Sequence, residues 1–164
     1  MIILGGGGHA RVVTDALLKQ GRRILGYSDL ESVGQPVLGV SRLGNEEMIY
    51  QFGPEKVRLA NGVGSVQPGP LRSAVFQRFT AKGYMFEQVV HPSALVATDV
   101  QLGAGVQIMA GAVVQSGTRI GADSIINTSA SVDHDCILGE HVHVAPGAVL
   151  CGNVRVGDGA HIGA

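Results

Sequence analysis

The C-terminal half of the sequence repeats with a period of six residues. From Val90 to Ile162, every sixth residue is aliphatic, thirteen times in succession. From Ala94 to Ala160, the residue two positions before each aliphatic residue is small or slim. Residues two apart point to the same face of a strand, so the period predicts short strands joined by tight corners. Three strands make a triangular coil, and about four stacked coils bury a continuous aliphatic ladder.

A second period of 18 residues lies on top of the first. Glycines recur at this spacing, each directly after an aliphatic position, at Gly103, Gly121, Gly139 and Gly157. One glycine per coil indicates a corner that needs either a positive φ or close packing. An ordinary β-sandwich with coincidental spacing is the alternative, and the unbroken run of thirteen aliphatic positions makes it a poor explanation.

The N-terminal half has the pattern of a small βαβ sheet. Buried strands are expected at residues 1–4, 24–27 and 57–60, with a short strand near 86–90. Helices are expected between the first two strands, ending at Gly21, and over residues 71–82. The sequence therefore predicts a Rossmann-like, mostly parallel sheet of three or four strands in residues 1–88, followed by a β-helix in residues 89–164.

Glycines 5–8 join the first strand to the first helix. The pattern Gly5-x-Gly7-x-x-Ala10 matches the dinucleotide-binding fingerprint, and it lies between a strand and a helix, as that fingerprint requires. A helix N-terminus offers free N–H groups to a phosphate. Asp29 ends the second strand, where its carboxylate can accept hydrogen bonds from a ribose or a base. A sheet this small favours a nucleoside diphosphate over a complete NAD site. A tight turn without a ligand is the alternative.

Composition narrows the choice of partners and compartment. The net charge is −1, which argues against nucleic acid or an anionic membrane as a partner. The two cysteines are expected to be reduced, as in the cytoplasm. The N-terminus lacks the features of a signal peptide, and the sequence has no apolar run long enough to span a membrane.

The candidate chemistry lies outside the aliphatic ladder. His134 is flanked by Asp133 and Asp135, and His143 directly precedes the ladder residue Val144. A carboxylate bound to an imidazole fixes its tautomer and raises its basicity, so His134 could act as a general base. Cys136 falls on the inward, small position, and no activated nucleophile is apparent. The alternative is that His134 is a surface residue without a role.

These motifs together resemble the NeuD/PglD-type sugar acyltransferases. The match runs from the glycine-rich start through His91-Pro92-Ser93-Ala94 to the segments at 126–129, 133–136 and 152–154. The resemblance implies a left-handed β-helix, a homotrimer and acetyl-CoA bound between neighbouring helices. It also implies site residues: His134 as base and Asp135 as its tuning acid; His143, Gly152 and Ala164 at acetyl-CoA; and Gly7, Gly8, His9, Asp29 and Gly62 at the nucleotide.

The function expected from this resemblance is transfer of an acetyl group from acetyl-CoA to the amine of a nucleotide-linked amino sugar. Three alternatives stay open: sialic-acid-type O-acetylation, a nucleotide-binding module without turnover, and a zinc protein similar to γ-class carbonic anhydrases that uses His134, His141, His143 or His161. The glycine-rich N-terminal domain, which those zinc enzymes lack, argues against zinc, and the closer resemblance to the amino-sugar members favours N-acetylation over O-acetylation. Members usually continue with further coils, whereas this sequence stops within a repeat at Ala164. We therefore expect either an incomplete acetyl-CoA site or a truncated C-terminal end.

Overall fold

The computed structural model describes residues 1–29, 36–65 and 70–164. The chain forms two compact units, Met1–Glu87 and Gln88–Ala164. No helix among the described residues is long and apolar enough to cross a membrane.

The first unit is a parallel sheet flanked by helices. Its strands are β1 (Ile2–Leu4), β2 (Gly26–Ser28), β3 (Arg42–Gly44), β4 (Arg58–Asn61) and β5 (Met85–Phe86), in the order β3-β2-β1-β4-β5. Its helices are α1 (Gly8–Lys19), α2 (Leu71–Thr80) and a 3₁₀ helix at Glu46–Gln51.

The expected strand count of three or four was wrong, since the sheet has five strands. β3 was missed because its sequence, Arg-Leu-Gly, carries no hydrophobic run. The short strand expected near residues 86–90 is two separate two-residue strands, of which only Met85–Phe86 belongs to this sheet. A two-residue strand that is not part of a repeat leaves no periodic pattern to read.

The core of the first unit combines aliphatic and aromatic packing. β1 lies between β2 and β4 and is fully buried, and α1 buries Ala10, Val13 and Leu17. Phe79 stacks on Tyr50 with ring centroids 5.5 Å apart and meets Tyr84 edge-on at 5.6 Å. All seven aromatic residues of the chain lie before residue 88, so the second unit is built without any.

The second unit is a left-handed parallel β-helix of two-residue strands. The thirteen strands are β6 (Val89–Val90), β7 (Leu95–Val96), β8 (Gln101–Leu102), β9 (Gln107–Ile108), β10 (Val113–Val114), β11 (Arg119–Ile120), β12 (Ile125–Ile126), β13 (Ser131–Val132), β14 (Ile137–Leu138), β15 (His143–Val144), β16 (Val149–Leu150), β17 (Arg155–Val156) and β18 (His161–Ile162). They stack into three parallel sheets, one per side of the coil. Paired residues are 18 apart in sequence, as in Val114↔Val132 and Ile120↔Leu138.

The aliphatic ladder lies inside the coils, which confirms the six-residue prediction. The eight sixth-position residues from Ile108 to Leu150 form one buried hydrophobic cluster, and the other five, towards the two ends, pack against it. Two of the inward small positions are polar, and both hydroxyls bind backbone of the next coil. Thr118 Oγ1 donates to the Asp133 carbonyl at 3.0 Å, and Ser124 Oγ donates to the Gly139 carbonyl at 3.0 Å. Burial of these hydroxyls is therefore compensated.

Close packing, and not a positive φ, explains three of the four 18-residue glycines, Gly103, Gly121 and Gly139. A Cβ on Gly103 would lie 2.6 Å from the Ala122 nitrogen, and one on Gly121 would lie 2.5 Å from the Gly139 carbonyl carbon. Positive φ occurs instead three residues after each ladder residue from Leu102 to Val156, ten times in succession, at Gly105, Gly111, Gly117, Asp123, Ser129, Asp135, His141, Gly147, Asn153 and Gly159. Gly, Asn and Asp are the residues that adopt this conformation most readily.

Replacement of a left-handed corner glycine should destabilise the β-helix through backbone strain alone. Gly147 has a φ of 72° and open space around its missing Cβ. We expect Gly147→Ala to lower the free energy of unfolding of the β-helix by about 1–2 kcal/mol. Gly157 also has open space but no positive φ, so Gly157→Ala serves as the matched control. Denaturant titration of both variants makes the comparison, and equal losses would contradict the strain explanation.

Candidate functional site

A histidine and an aspartate form a hydrogen-bonded pair at the corner between β13 and β14. His134 Nδ1 lies 2.9 Å from Asp135 Oδ2, and the two side chains are 61% and 68% exposed. A neutral imidazole that donates from Nδ1 to this carboxylate keeps Nε2 unprotonated. The exposed pair therefore offers a basic nitrogen to an approaching substrate.

The backbone at this corner is held by both neighbouring coils. The Asp135 N–H donates to the Ser116 carbonyl at 3.0 Å, and the His134 carbonyl accepts from the Asn153 N–H at 2.8 Å. Asp133 contributes from the same corner, where its Oδ1 accepts from the His134 N–H at 2.8 Å. The exposed side chains thus stand on a backbone with little freedom to move.

The electrostatics of the corner favour the protonated imidazole. The hydrogen bond that His134 donates to the Asp135 carboxylate raises the pKa of His134, and the charge of Asp133 raises it further. A base with a raised pKa accepts a proton more readily once it is deprotonated. The pair therefore has the properties of a general base that works above the ordinary histidine range.

Two glycines flank the pair, one on each neighbouring coil. A Cβ on Gly152 would lie 2.6 Å from His134 Nε2, and a Cβ on Gly117 would collide with Asp135 Oδ1. Gly152 was expected at acetyl-CoA, and the structure places it against the imidazole. Gly117 was missed by the sequence analysis, although its 18-residue spacing from Asp135 could have revealed it.

His143 belongs to a different side of the coil, on β15. It is 3% exposed and lies outside the aliphatic ladder, with its ring 4.6 Å from that of His161. Asn127 Oδ1 accepts from the Thr128 N–H at 2.8 Å, so the Asn127 amide nitrogen faces His143 Nε2 at 3.0 Å. Because that amide donates, the imidazole proton is assigned to Nδ1. His143 is therefore suited to binding and not to proton transfer at Nε2.

The glycine-rich loop of the first unit is held in place by Asp29. Asp29 Oδ2 accepts from the Gly6 N–H at 2.6 Å, and the Asp29 carbonyl accepts from the Arg42 guanidinium at 2.5 Å. A Cβ on Gly6 would lie 2.6 Å from Asp29 Oδ2 and 2.7 Å from the Tyr27 ring. The sequence pattern singled out Gly5 and Gly7, whereas the residue in direct contact with Asp29 is Gly6.

The remaining loop residues gather at the carboxyl edge of β1 and β4. Gly7 and Gly8 are exposed, and nothing lies within 4 Å of a Cβ added to either, so a ligand can approach their backbone. His9 is the second residue of α1. Gly62 is buried, and a Cβ there would lie 2.7 Å from the Ala10 Cβ. Close packing of the helix start against β4 therefore requires a glycine at Gly62.

The remaining residues that the sequence analysis named are Ala164 and the two cysteines. Ala164 is exposed beyond the end of β18. Cys136 is buried and Cys151 is exposed, both as free thiols. Across residues 1–29, 36–65 and 70–164, no three His, Cys, Asp or Glu side chains are grouped in a way that could hold a metal ion.

Two family models match the chain. The PglD N-terminal domain matches residues 1–79, and the bacterial transferase hexapeptide repeat matches residues 117–152. The first segment contains the glycine-rich loop, and the second contains the His134–Asp135 corner and Gly152. A comparison with curated proteins finds no match.

Solved structures extend the similarity over nearly the whole chain. The acetyltransferase domain of PglB from Neisseria gonorrhoeae is 32% identical, with a TM-score of 0.90 over 98% of this chain and 77% of that chain. A mutant of perosamine N-acetyltransferase from Caulobacter crescentus, in complex with CoA and GDP-perosamine, is 35% identical, with a TM-score of 0.87 over 98% of this chain and 75% of that chain. The PglB domain also matches in its complex with acetyl coenzyme A, at 32% identity and a TM-score of 0.88 over 98% of this chain and 77% of that chain.

The glycine-rich loop lies in the segment that matches the PglD N-terminal domain, and the histidine corner lies in the segment that matches the hexapeptide repeat. The chain therefore belongs to the NeuD/PglD-type sugar acetyltransferases, a family of hexapeptide-repeat acyltransferases.

Proposed function

We propose that this protein transfers the acetyl group of acetyl-CoA to the amine of a nucleotide-linked amino sugar. The observation that carries the proposal is the exposed His134–Asp135 pair, with Nε2 directed at the side-chain-free position of Gly152. Similarity to the perosamine N-acetyltransferase, whose structure holds CoA and GDP-perosamine, supports both substrate classes.

In the proposed reaction, His134 Nε2 accepts a proton from the sugar amine as the nitrogen attacks the thioester carbonyl. The C–N bond forms, the C–S bond breaks, and the CoA thiolate takes up the proton from the imidazolium. Asp135 stabilises that imidazolium through its bond to Nδ1. No covalent enzyme intermediate is required, and neither free thiol of the chain enters the scheme.

Two groups of residues would bind the two substrates, one the nucleotide and the other acetyl-CoA. Gly7, Gly8 and His9 would face the diphosphate, where the N-terminus of α1 supplies N–H donors and positive potential. Asp29 would act through the loop that it holds, and Gly62 through close packing behind it. His143 and Ala164 would contact acetyl-CoA, between neighbouring copies of a homotrimer.

Removal of the proposed base should slow turnover without weakening the cofactor complex. Loss of a general base typically costs about 10²–10⁴ in rate, so we expect His134→Ala to lower kcat by that order. The acetyl-CoA affinity should stay nearly unchanged, as should the unfolding temperature, because the side chain is 61% exposed. A thiol-release assay across a panel of nucleotide amino sugars measures the effect. Equal turnover with and without His134 would overturn the mechanism.

The rate should rise with pH as His134 loses its proton. Because Asp135 raises the pKa of His134, the midpoint of log(kcat/KM) against pH should lie above the ordinary histidine value. Asp135→Asn removes the carboxylate but keeps a residue that tolerates the φ of 59° at this corner. The variant should shift the midpoint to lower pH and lower the rate less than His134→Ala does. An unshifted midpoint would exclude Asp135 as the tuning residue.

A side chain at Gly6 should damage nucleotide binding selectively. Its Cβ would lie 2.6 Å from Asp29 Oδ2, so the loop or the carboxylate must move. We expect Gly6→Ala to raise the KM for the nucleotide sugar by about tenfold or more, as loss of charge-assisted hydrogen bonds would, while the KM for acetyl-CoA stays constant. Steady-state kinetics with each substrate varied in turn separates the two constants. An equal rise in both would indicate general misfolding.

A further inference from the structure

A basic cavity of about 390 Å³ opens on the first unit, away from the glycine-rich loop. Its lining consists of Met1, Gly21, Arg22, Arg23, Lys56 and Arg58. Among the residues that the structure describes, the lining includes four cationic side chains and no carboxylate. A cavity of this size is within the range that holds small ligands.

The positive charge of this cavity is mostly uncompensated. Arg22 forms an ion pair with Glu87, which is the one ion pair that the described residues provide to these four side chains. Arg23, Lys56 and Arg58 therefore add an excess of three positive charges. Burial and then the charges of Arg22 and Arg23 lower the pKa of the Met1 amine. Like charges at close range repel one another, and a bound anion would relieve that repulsion.

The cavity lies at the amino ends of the central strands, whereas the glycine-rich loop lies at their carboxyl ends. Ile2 pairs with Leu59, which sets Met1 beside Arg58 at the amino ends of β1 and β4. Gly5 follows the carboxyl end of β1. Three residues of extended strand span about 10 Å, so the two positions are separated by the length of the strand. A ligand phosphate on the loop does not occupy the cavity.

We infer that this cavity is a second anion site, which binds a small phosphate-bearing molecule through Arg23, Lys56 and Arg58. Guanidinium groups bind phosphate through paired N–H donors, and an ammonium adds a compact positive charge. Two or more negative charges on the ligand match the excess positive charge of the lining. The inference does not depend on the proposed acetyl transfer, because it concerns different residues.

Calorimetric titration with inorganic pyrophosphate at low ionic strength tests the site. Gly6→Ala serves as the background, so that binding at the loop is suppressed. We expect this chain to bind pyrophosphate, and we expect Lys56→Gln with Arg58→Gln to raise the Kd by about tenfold or more, as the loss of charge-assisted contacts predicts. Binding should also weaken with added salt.

A charge-matched control separates a site from a general effect of net charge. Lys19→Gln with Arg78→Gln also removes two positive charges, from exposed pairs with Asp15 and Glu46. This control should change the Kd by less than about twofold, because neither side chain lines the cavity. Loss of the two exposed ion pairs should also have little effect on the stability of the fold. Equal Kd values for the two double variants would overturn the inference. If the cavity double variant does not fold, the single change Arg23→Gln decides: weaker binding supports the site, and unchanged binding overturns it.

Three further probes distinguish the sources of phosphate. CoA binding weakened by the cavity variant, with dephospho-CoA binding unchanged, would assign the cofactor's 3′-phosphate to the cavity. Weakened binding of GDP would assign a nucleotide phosphate to it. Weakened binding of pyrophosphate alone would assign a small free phosphate compound. Each of these outcomes supports the site, and each can be read without any measurement of acetyl transfer.

Discussion

Burial of aliphatic side chains along the axis of the β-helix is the interaction on which the rest of the second unit depends. Each coil presents three ladder residues to the interior, and those residues become buried only when coils lie above and below. The fully buried positions, such as Ile108, Ile126 and Val144, lie in the middle of the stack, while Val90 and Ile162 at its ends are only partly buried. Stability of this kind grows with the number of stacked neighbours.

This packing also fixes the position of the candidate catalytic residues. The ladder sets the height and rotation of every coil, so each corner is held by backbone bonds to the coils before and after it. At the His134 corner those bonds go to Ser116 and Asn153. The neighbouring coils carry glycines beside the pair, Gly117 and Gly152. A side chain at either position would collide with Asp135 or His134. An exposed pair can thus be well positioned although solvent surrounds it.

Much of the fold could be predicted from the sequence because its period is short and strict. The ladder requires an aliphatic residue at every sixth position, and no other common architecture has that requirement. The first unit was harder to predict, since β3 and β5 owe their existence to neighbouring strands and not to their own composition. For the 18-residue glycines the sequence left two options open, because close approach and positive φ both select glycine. The structure shows close packing at Gly103, Gly121 and Gly139.

In the candidate site, residues adjacent in sequence could be predicted, whereas contacts between distant residues could not. His134 and Asp135 could be selected because an acidic residue beside a histidine is visible in the sequence. The contact between Gly6 and Asp29 spans 23 residues, and that between Gly152 and His134 joins neighbouring coils. Such contacts exist only after the chain has folded, so composition and local spacing do not reveal them. The converging charges of Arg23, Lys56 and Arg58 are hidden for the same reason.

The uneven distribution of aromatic residues has an optical consequence. All seven phenylalanines and tyrosines lie in the first unit, and the chain has no tryptophan. Tyrosine fluorescence and the near-ultraviolet circular dichroism of the aromatic rings therefore report on the sheet around Tyr50 and Phe79, whereas the β-helix is silent in both signals. Far-ultraviolet dichroism records the two units together. The difference between these signals makes it possible to follow the unfolding of the β-helix separately, without a label.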